Sequence, residues 1–131
     1  MTNMVSIITA IHLAALSQVE SGDNDRAPGR NGEMSRYQFL PAVMLHEQAV
    51  NPALQTLIGE WWTIEKYARV CTVGIWEKRV ATFRLAYRRD PSLAELYLCW
   101  HRPGRVLNPT PVERARAEQF ENLVRKLARH E

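Results

Sequence analysis

The residues best suited to chemistry lie in the stretch VESGDNDRAPGRNGEMSRYQFLP, from Val19 to Pro41. A carboxylate, Glu20, follows the apolar-periodic run Val5 to Leu16 and immediately precedes Ser21-Gly22, where a helix stops. At such an end the side chain can lean into a cleft while apolar neighbours desolvate one side of it. That environment disfavours the charged carboxylate and suits it to hold and deliver a proton. The same position also fits a solvated helix terminus, because Glu is common on surfaces. Acid–base work calls for a second group, and Glu33 is the best placed carboxylate, ahead of Asp25 and Asp23. Glu33 fits equally well as an acid favoured by the dipole of the helix that follows it. Tyr37 and Gln38 close the stretch with a phenol and a carboxamide, groups able to hydrogen-bond a hydroxyl or an amide. Their other reading is a core tyrosine and a glutamine that braces loop backbone.

The elements that must position these groups read as helices. Val5, Ile8, Ile11, Ala15 and Val19 step by three or four and define a buried stripe that delivers Glu20. Gly22 ends it, and Asp23 to Gly32, rich in Gly, Asp, Asn and Pro, forms a long loop or a small hairpin. Periodicity resumes over Met34 to Ala49, with Pro41 opening a second helical piece. Asn51-Pro52 is expected to open a helix carrying Leu54, Leu57, Ile58, Trp61 and Trp62. After a weaker patch at Cys71 to Gly74, another helix carries Trp76, Val80, Phe83 and Tyr87. Asp90-Pro91 is expected to cap a helix with Leu93, Leu96, Tyr97 and Trp100 on one face, broken at Pro103-Gly104. Thr110-Pro111-Val112-Glu113 is a capping box opening a last helix that buries Val112, Phe120, Leu123, Val124 and Leu127. Strand-like alternation is sparse, so the expected fold is mainly α, one domain over residues 1–131.

Glu20, Ser21, Gly22, Asn24, Ala27, Gly32, Gln38 and Pro41 fall together on a pattern of the lysozyme-like superfamily. The stretch resembles soluble lytic transglycosylases, goose-type lysozymes and their phage relatives. Those proteins carry Glu-Ser-Gly, then Asn, Ala and Gly in a long loop, then Gly-Leu-Met-Gln or Gly-Arg-Tyr-Gln, then Pro. A second segment, CWHRPGRV from Cys99 to Val106, is similar to the Ala-Tyr-Asn-x-Gly segment that closes the cleft opposite the Glu in those enzymes, with Trp100 for Tyr and His101 for Asn. The chain departs from the pattern at Gly29, where the family often has Ser, and at Ser35-Arg36-Tyr37, which with Gln38 resembles a phage-type variant.

The resemblance implies a lysozyme-like helical domain that cleaves peptidoglycan or a related aminosugar polymer. A glycosidic bond breaks through an oxocarbenium-like transition state in which the leaving oxygen must receive a proton. Glu20 falls on the family's catalytic Glu, and Glu33 lies where goose-type lysozymes carry acidic residues that position water. An inverting enzyme would place its second carboxylate about 6.5–9.5 Å from the first. Lytic transglycosylases instead resemble substrate-assisted enzymes, in which the sugar's N-acetyl group takes part. Ser21 would hold Glu20 in position, Tyr37 and Gln38 would line the cleft floor, Trp100 would stack on a sugar face, and His101 would contact substrate or orient Glu20. Trp61, Trp62 and Trp76 are explained by helical spacing as core. Alternatives keep the fold but assign only glycan binding or a structural role, or make the chain a basic helical nucleic-acid binder. The last is disfavoured because no helix carries a compact Arg/Lys stripe with base-reading Asn or Gln.

The composition bounds these readings. The chain has 131 residues, 46% of them hydrophobic and 24% charged, enough for a buried core and ordinary for a globular protein. Net charge is +3, distributed unevenly: residues 1–40 hold three basic and four acidic side chains, 41–76 two and three, and 77–131 twelve and seven. The positive excess of the C-terminal part could attract a polyanion or simply form solvated helix faces. Cys71 and Cys99 sit among apolar neighbours and are expected to be buried thiols. His12, His46, His101 and His130 are scattered, and His46-Glu47 lacks the second His of a helical zinc site, so neither metal nor cofactor is expected. No apolar run reaches membrane-spanning length. Met1 to Gln18 has no Lys or Arg ahead of it and makes a poor signal peptide, so access to a cell wall is expected to need a removed leader or a partner such as a lysis pore.

Overall fold

The computed structural model describes residues 6–130. They form five α-helices: α1 (Ala10–Ser21), α2 (Pro41–Val50), α3 (Glu65–Tyr87), α4 (Leu93–His101) and α5 (Pro111–Ala128), with short 3-10 turns at Trp61–Thr63 and Pro103–Arg105. The fold is mainly α, and among the described residues the only β pairing is an isolated antiparallel bridge between Met34 and Phe39. That bridge follows the loop in which a hairpin was admissible, because the Gly- and Pro-rich segment closes through turns instead.

The starts of α1, α2, α4 and α5 each have a local cause. Val5, the expected start of the first helix, lies outside the described residues, and α1 begins at Ala10 behind a reciprocal cap. The Thr9 hydroxyl accepts from the His12 amide at 3.4 Å, and His12 Nδ1 accepts from the Thr9 amide at 3.0 Å. Partial burial lowers the pKa of His12, in keeping with a ring nitrogen that must accept. α2 starts at Pro41, whose missing N–H costs nothing in a first turn. In α4 the capping residue is Ser92 rather than Asp90: Ser92 and Glu95 form the capping box, while Asp90 pairs with Arg84. The Thr110/Glu113 box opens α5 where the spacing places it.

Two expectations are corrected. The helix expected after Asn51-Pro52 is a run of turns leading to the Trp61–Thr63 3-10 turn. Gln48 donates to Leu54 O and Leu57 O, at 3.1 and 2.9 Å, and Asn51 Oδ1 accepts from the Ala53 amide, so side chains satisfy a backbone that helical bonds would otherwise take. Conversely, the weak patch from Cys71 to Gly74 does not break a helix; α3 runs through it for 23 residues. Cys71 and Thr72 are fully buried there, and burial overrides the poor propensity of the segment. Gly74 has no room for a side chain, because a Cβ would overlap the buried Glu47 carboxylate of α2.

The chain divides into two compact units, one comprising the described residues of 1–15 and 76–131, the other Leu16–Ile75. In the first, α4 packs on α5 around Trp76, Tyr97, Trp100 and Phe120, all at most 4% exposed. Ring centroids lie 5.9 Å apart for Trp76–Trp100, 6.1 Å for Trp76–Phe120 and 5.6 Å for Tyr97–Phe120. Trp76 Nε1 donates to Leu96 O at 2.9 Å, which satisfies the polar edge of a fully buried indole. Val112, expected in this core, is 71% exposed because it sits in the first turn of α5, ahead of the buried stripe Ala117, Phe120 and Val124. In the second unit Leu16, Val19, Tyr37, Phe39, Met44, Leu54 and Trp61 are buried.

Candidate functional site

The site candidates of Leu16–Ile75 are built around the end of α1. Gly22 takes a left-handed conformation, φ 63°, and its amide bonds Gln18 O at 3.0 Å, ending the helix one residue after Ser21. Asp23 is left-handed as well, φ 66°, and its carboxylate accepts from the buried Ser17 hydroxyl at 2.6 Å. These bonds hold the last turn of α1, where Glu20 sits half-buried. Ser21 joins this turn to the next part of the site. Its hydroxyl donates to Arg36 O at 2.7 Å, approaches Ser17 O at 3.2 Å, and accepts from the Asn24 amide at 3.0 Å. Ser21 therefore works on backbone, holding the helix end against the Tyr-Gln turn.

That turn, Ser35 to Gln38, has left-handed backbone at both ends, φ 70° at Ser35 and 60° at Gln38. Such a conformation costs a non-glycine residue about 1–2 kcal/mol, so the surroundings must impose it. Arg36 makes a two-point pair with Asp25, at 2.8 and 3.1 Å, and the bond to Asp25 raises the guanidinium pKa. Gln38 Nε2 donates to Ala27 O at 3.0 Å and to Ser35 O at 2.8 Å. The Met34–Phe39 bridge, with bonds of 2.9 and 3.1 Å, closes the turn from below.

Tyr37 is 2% exposed, and its hydroxyl donates to Glu65 Oε1 at 2.9 Å. Burial first, and then the Glu65 carboxylate, push the phenol pKa above its ordinary range. Glu65, in the first turn of α3, is bound at two points by Arg69, at 3.0 and 2.6 Å, and Arg69 chiefly holds its pKa low. The ring of Tyr37 is thus a core group with a satisfied hydroxyl, and it offers no open face to a ligand.

Glu33 and Gln38 meet over Gly29. A Cβ at Gly29 would lie 2.5 Å from both Glu33 Cβ and Glu33 Oε1 and 2.6 Å from Gln38 Oε1. Glu33 Oε1 also accepts from the Asn31 amide at 2.7 Å, and the Gly29 amide bonds Glu33 O at 3.1 Å. With Gln38 Nε2 occupied by two carbonyls, its Oε1 is the end turned toward Gly29 and the Glu33 carboxylate. Position 29 has no room for a side chain: even a serine would collide with both neighbours.

The structure therefore gathers the end of α1 with Glu20 and Ser21, the turn with Tyr37 and Gln38, and Glu33 into one unit through named bonds. Trp100 and His101 belong to the other unit. Trp100 is 4% exposed, packed on Trp76 and under the Arg79 guanidinium, so the expected sugar-stacking face is occupied by protein. His101 stacks on Tyr97 with centroids 5.4 Å apart. Sequence reasoning missed the Asp25–Arg36 pair and the Tyr37–Glu65–Arg69 chain. Of these only Glu65–Arg69 had a readable signal, the i,i+4 spacing of opposite charges.

Elsewhere a cavity of about 110 Å³ is lined by Ile7, Ile8, Val80 and Ala81 with Ser6, Glu77 and Arg84, none of them a site candidate. Both cysteines are buried, and burial raises the Cys99 thiol to about 11, which makes it a poor nucleophile. Among the described residues no group of three His, Cys, Asp or Glu is arranged to hold a metal, and no helix is long and apolar enough to cross a membrane. Compared with models of known protein families, with curated proteins and with solved structures, the chain gives no match.

Proposed function

We propose that the chain is a muramidase-like glycosidase, cleaving the N-acetylmuramic acid to N-acetylglucosamine bond of peptidoglycan by hydrolysis or intramolecular transglycosylation, with Glu20 as general acid. The observation that carries this reading is the Ser21–Arg36 hydrogen bond, which fastens the helix end bearing Glu20 to the Tyr-Gln turn. That bond joins two of the segments on which the resemblance rests, which supports reading them together as parts of one site. Glu20 is half-buried on a turn held by three further bonds, donated by the Ser17 hydroxyl and by the Gly22 and Asn24 amides, which suits a group that must meet a leaving oxygen in a fixed orientation. Glu33, oriented by the Asn31 amide, is the second carboxylate of the same unit and the candidate to activate water. If the substrate's own N-acetyl group supplies that role, the product is an anhydro sugar.

One observation favours a second reading, a glycan-binding or structural module on the same scaffold. The Ser21 hydroxyl and the Gln38 amide nitrogen are both bonded to backbone, and the Tyr37 and Trp100 rings are buried, so few polar or aromatic groups face outward for catalysis. Mass spectrometry of peptidoglycan digested by wild type and Glu20→Gln separates the readings. Anhydro or reducing muropeptide ends from wild type, reduced at least about 100-fold by the substitution, support the glycosidase. Intact sacculi retained equally by both proteins support the binder.

A further inference from the structure

We infer that Glu65 and Arg69, in the first turns of α3 and outside the stretch that carries the lysozyme-like pattern, are positioning residues that hold the Tyr-Gln turn in register with the end of α1. The inference rests on the glycosidase reading for its kinetic consequence, but its structural content stands apart from it. The turn is strained at Ser35 and Gln38, and most of its braces are local: Asp25, Ser21, Ala27 and the Met34–Phe39 bridge all lie within fifteen residues of it. These braces tie the turn to its own loop and to the end of α1, and none of them reaches α3.

The bond from Tyr37 to Glu65 spans 28 residues and anchors the turn to a long helix. Arg69 orients its acceptor by binding the carboxylate at both oxygens from one helical turn away. A two-point guanidinium–carboxylate pair fixes the plane of the carboxylate as well as its place. Glu65 Oε1 is shared: it receives Arg69 Nε at 3.0 Å and the Tyr37 hydroxyl at 2.9 Å. Tyr37, being buried, transmits that fixed point to the backbone of Gln38, the next residue, and through Arg36 O to Ser21 beside Glu20. A catalytic acid displaced by a fraction of an ångström loses rate more than it loses substrate affinity.

The test uses the full chain with Tyr37→Phe, Glu65→Ala, Glu65→Gln and the Tyr37→Phe/Glu65→Ala double variant, all checked for folding by circular dichroism. Hydrogen exchange reads the turn directly through the Gln38 and Phe39 amides, which bond Ser35 O and Met34 O. Exchange of those amides should rise about tenfold in Tyr37→Phe and Glu65→Ala, with amides of α5 unchanged. The double variant should be no worse than either single one, because one bond is being removed twice. Glu65→Gln, which keeps an oxygen to accept from Tyr37, should recover part of the protection. On soluble peptidoglycan fragments the same order should appear in kcat, about tenfold down for the single variants, with KM within about twofold. Turn amides that exchange as in wild type, or effects of the two single variants that simply add, overturn the positioning role. If wild type releases no muropeptides, the glycosidase reading fails, and the exchange data still decide this one.

Discussion

Residues 16–75 and 76–130 solve the problem of holding a chain in place by different means. The second region relies on apolar contact: a cluster of buried rings, with helices opened by two complete capping boxes. Its backbone is relaxed, with Arg88 the one left-handed non-glycine residue among those described. The first region contains Asp23, Ser35 and Gln38, all left-handed, together with Gly22, Gly32 and Gly59, and it is braced by side chains bonding backbone. The charges differ too: residues 1–76 hold five basic and seven acidic side chains, against twelve and seven in 77–131. One region thus holds left-handed backbone in place with polar bonds, while the other rests on a buried aromatic cluster.

This contrast can be broken experimentally. The largest stability effect should come from Trp76→Ala, which removes a fully buried indole together with its bond to Leu96 O. The loss should be about 3–5 kcal/mol in urea unfolding, and a loss below about 1 kcal/mol would mean that the ring cluster is not the main source of stability. Next, Gly29→Ala should cost about 1–3 kcal/mol, because its methyl group would overlap Glu33 and Gln38 and these cannot both retreat without losing Asn31 or Ala27. Gly104→Ala is the control in the other region: nothing lies within 4 Å of its Cβ position, and its stability should shift by less than about 0.5 kcal/mol. Equal costs at the two glycines would erase the distinction drawn here.

A pH series sharpens the comparison. Arg89 and Arg105, by hydrogen bonding to Glu95 and Glu113, hold these two carboxyls at about 2, below the ordinary 4.5. Because the folded state binds those protons less readily than the unfolded one, the stabilisation is complete above about pH 4.5 and is lost as the pH falls toward 2. Urea midpoints should therefore decline through that window, and Glu113→Gln should flatten the decline. A midpoint that stays level from neutral pH to about pH 3 would contradict it. The smallest effect has the opposite sign. Thr72 is fully buried, and its Oγ1 has no hydrogen-bond partner among the described residues, so Thr72→Val should raise stability by about 1 kcal/mol. A drop in the melting temperature would show that the hydroxyl has a use after all.

Much of the scaffold was legible in the chain because its causes are local. The mainly α class, the start of α2 at Pro41, the Thr110/Glu113 box of α5 and the stop of α1 at Gly22 each depend on a few neighbouring residues with a known backbone preference. What could not be read is equally specific. The continuity of α3 through Cys71 to Gly74 depends on burial of Cys71 and Thr72, and the absence of a helix after Asn51 depends on Gln48 reaching forward over six and nine residues.

By itself the sequence determined the starts at Pro41 and Thr110, the stop at Gly22 and which carboxylate stands at the close of the first helix. Only the tertiary structure decided that Tyr37 and Trp100 are core, that Gly29 is required by its neighbours' bulk, and that Glu65 secures a turn 28 residues away. Caps and turns are short-range and written in residue type. Burial and long-range hydrogen bonds depend on which surfaces meet, and no local preference encodes that.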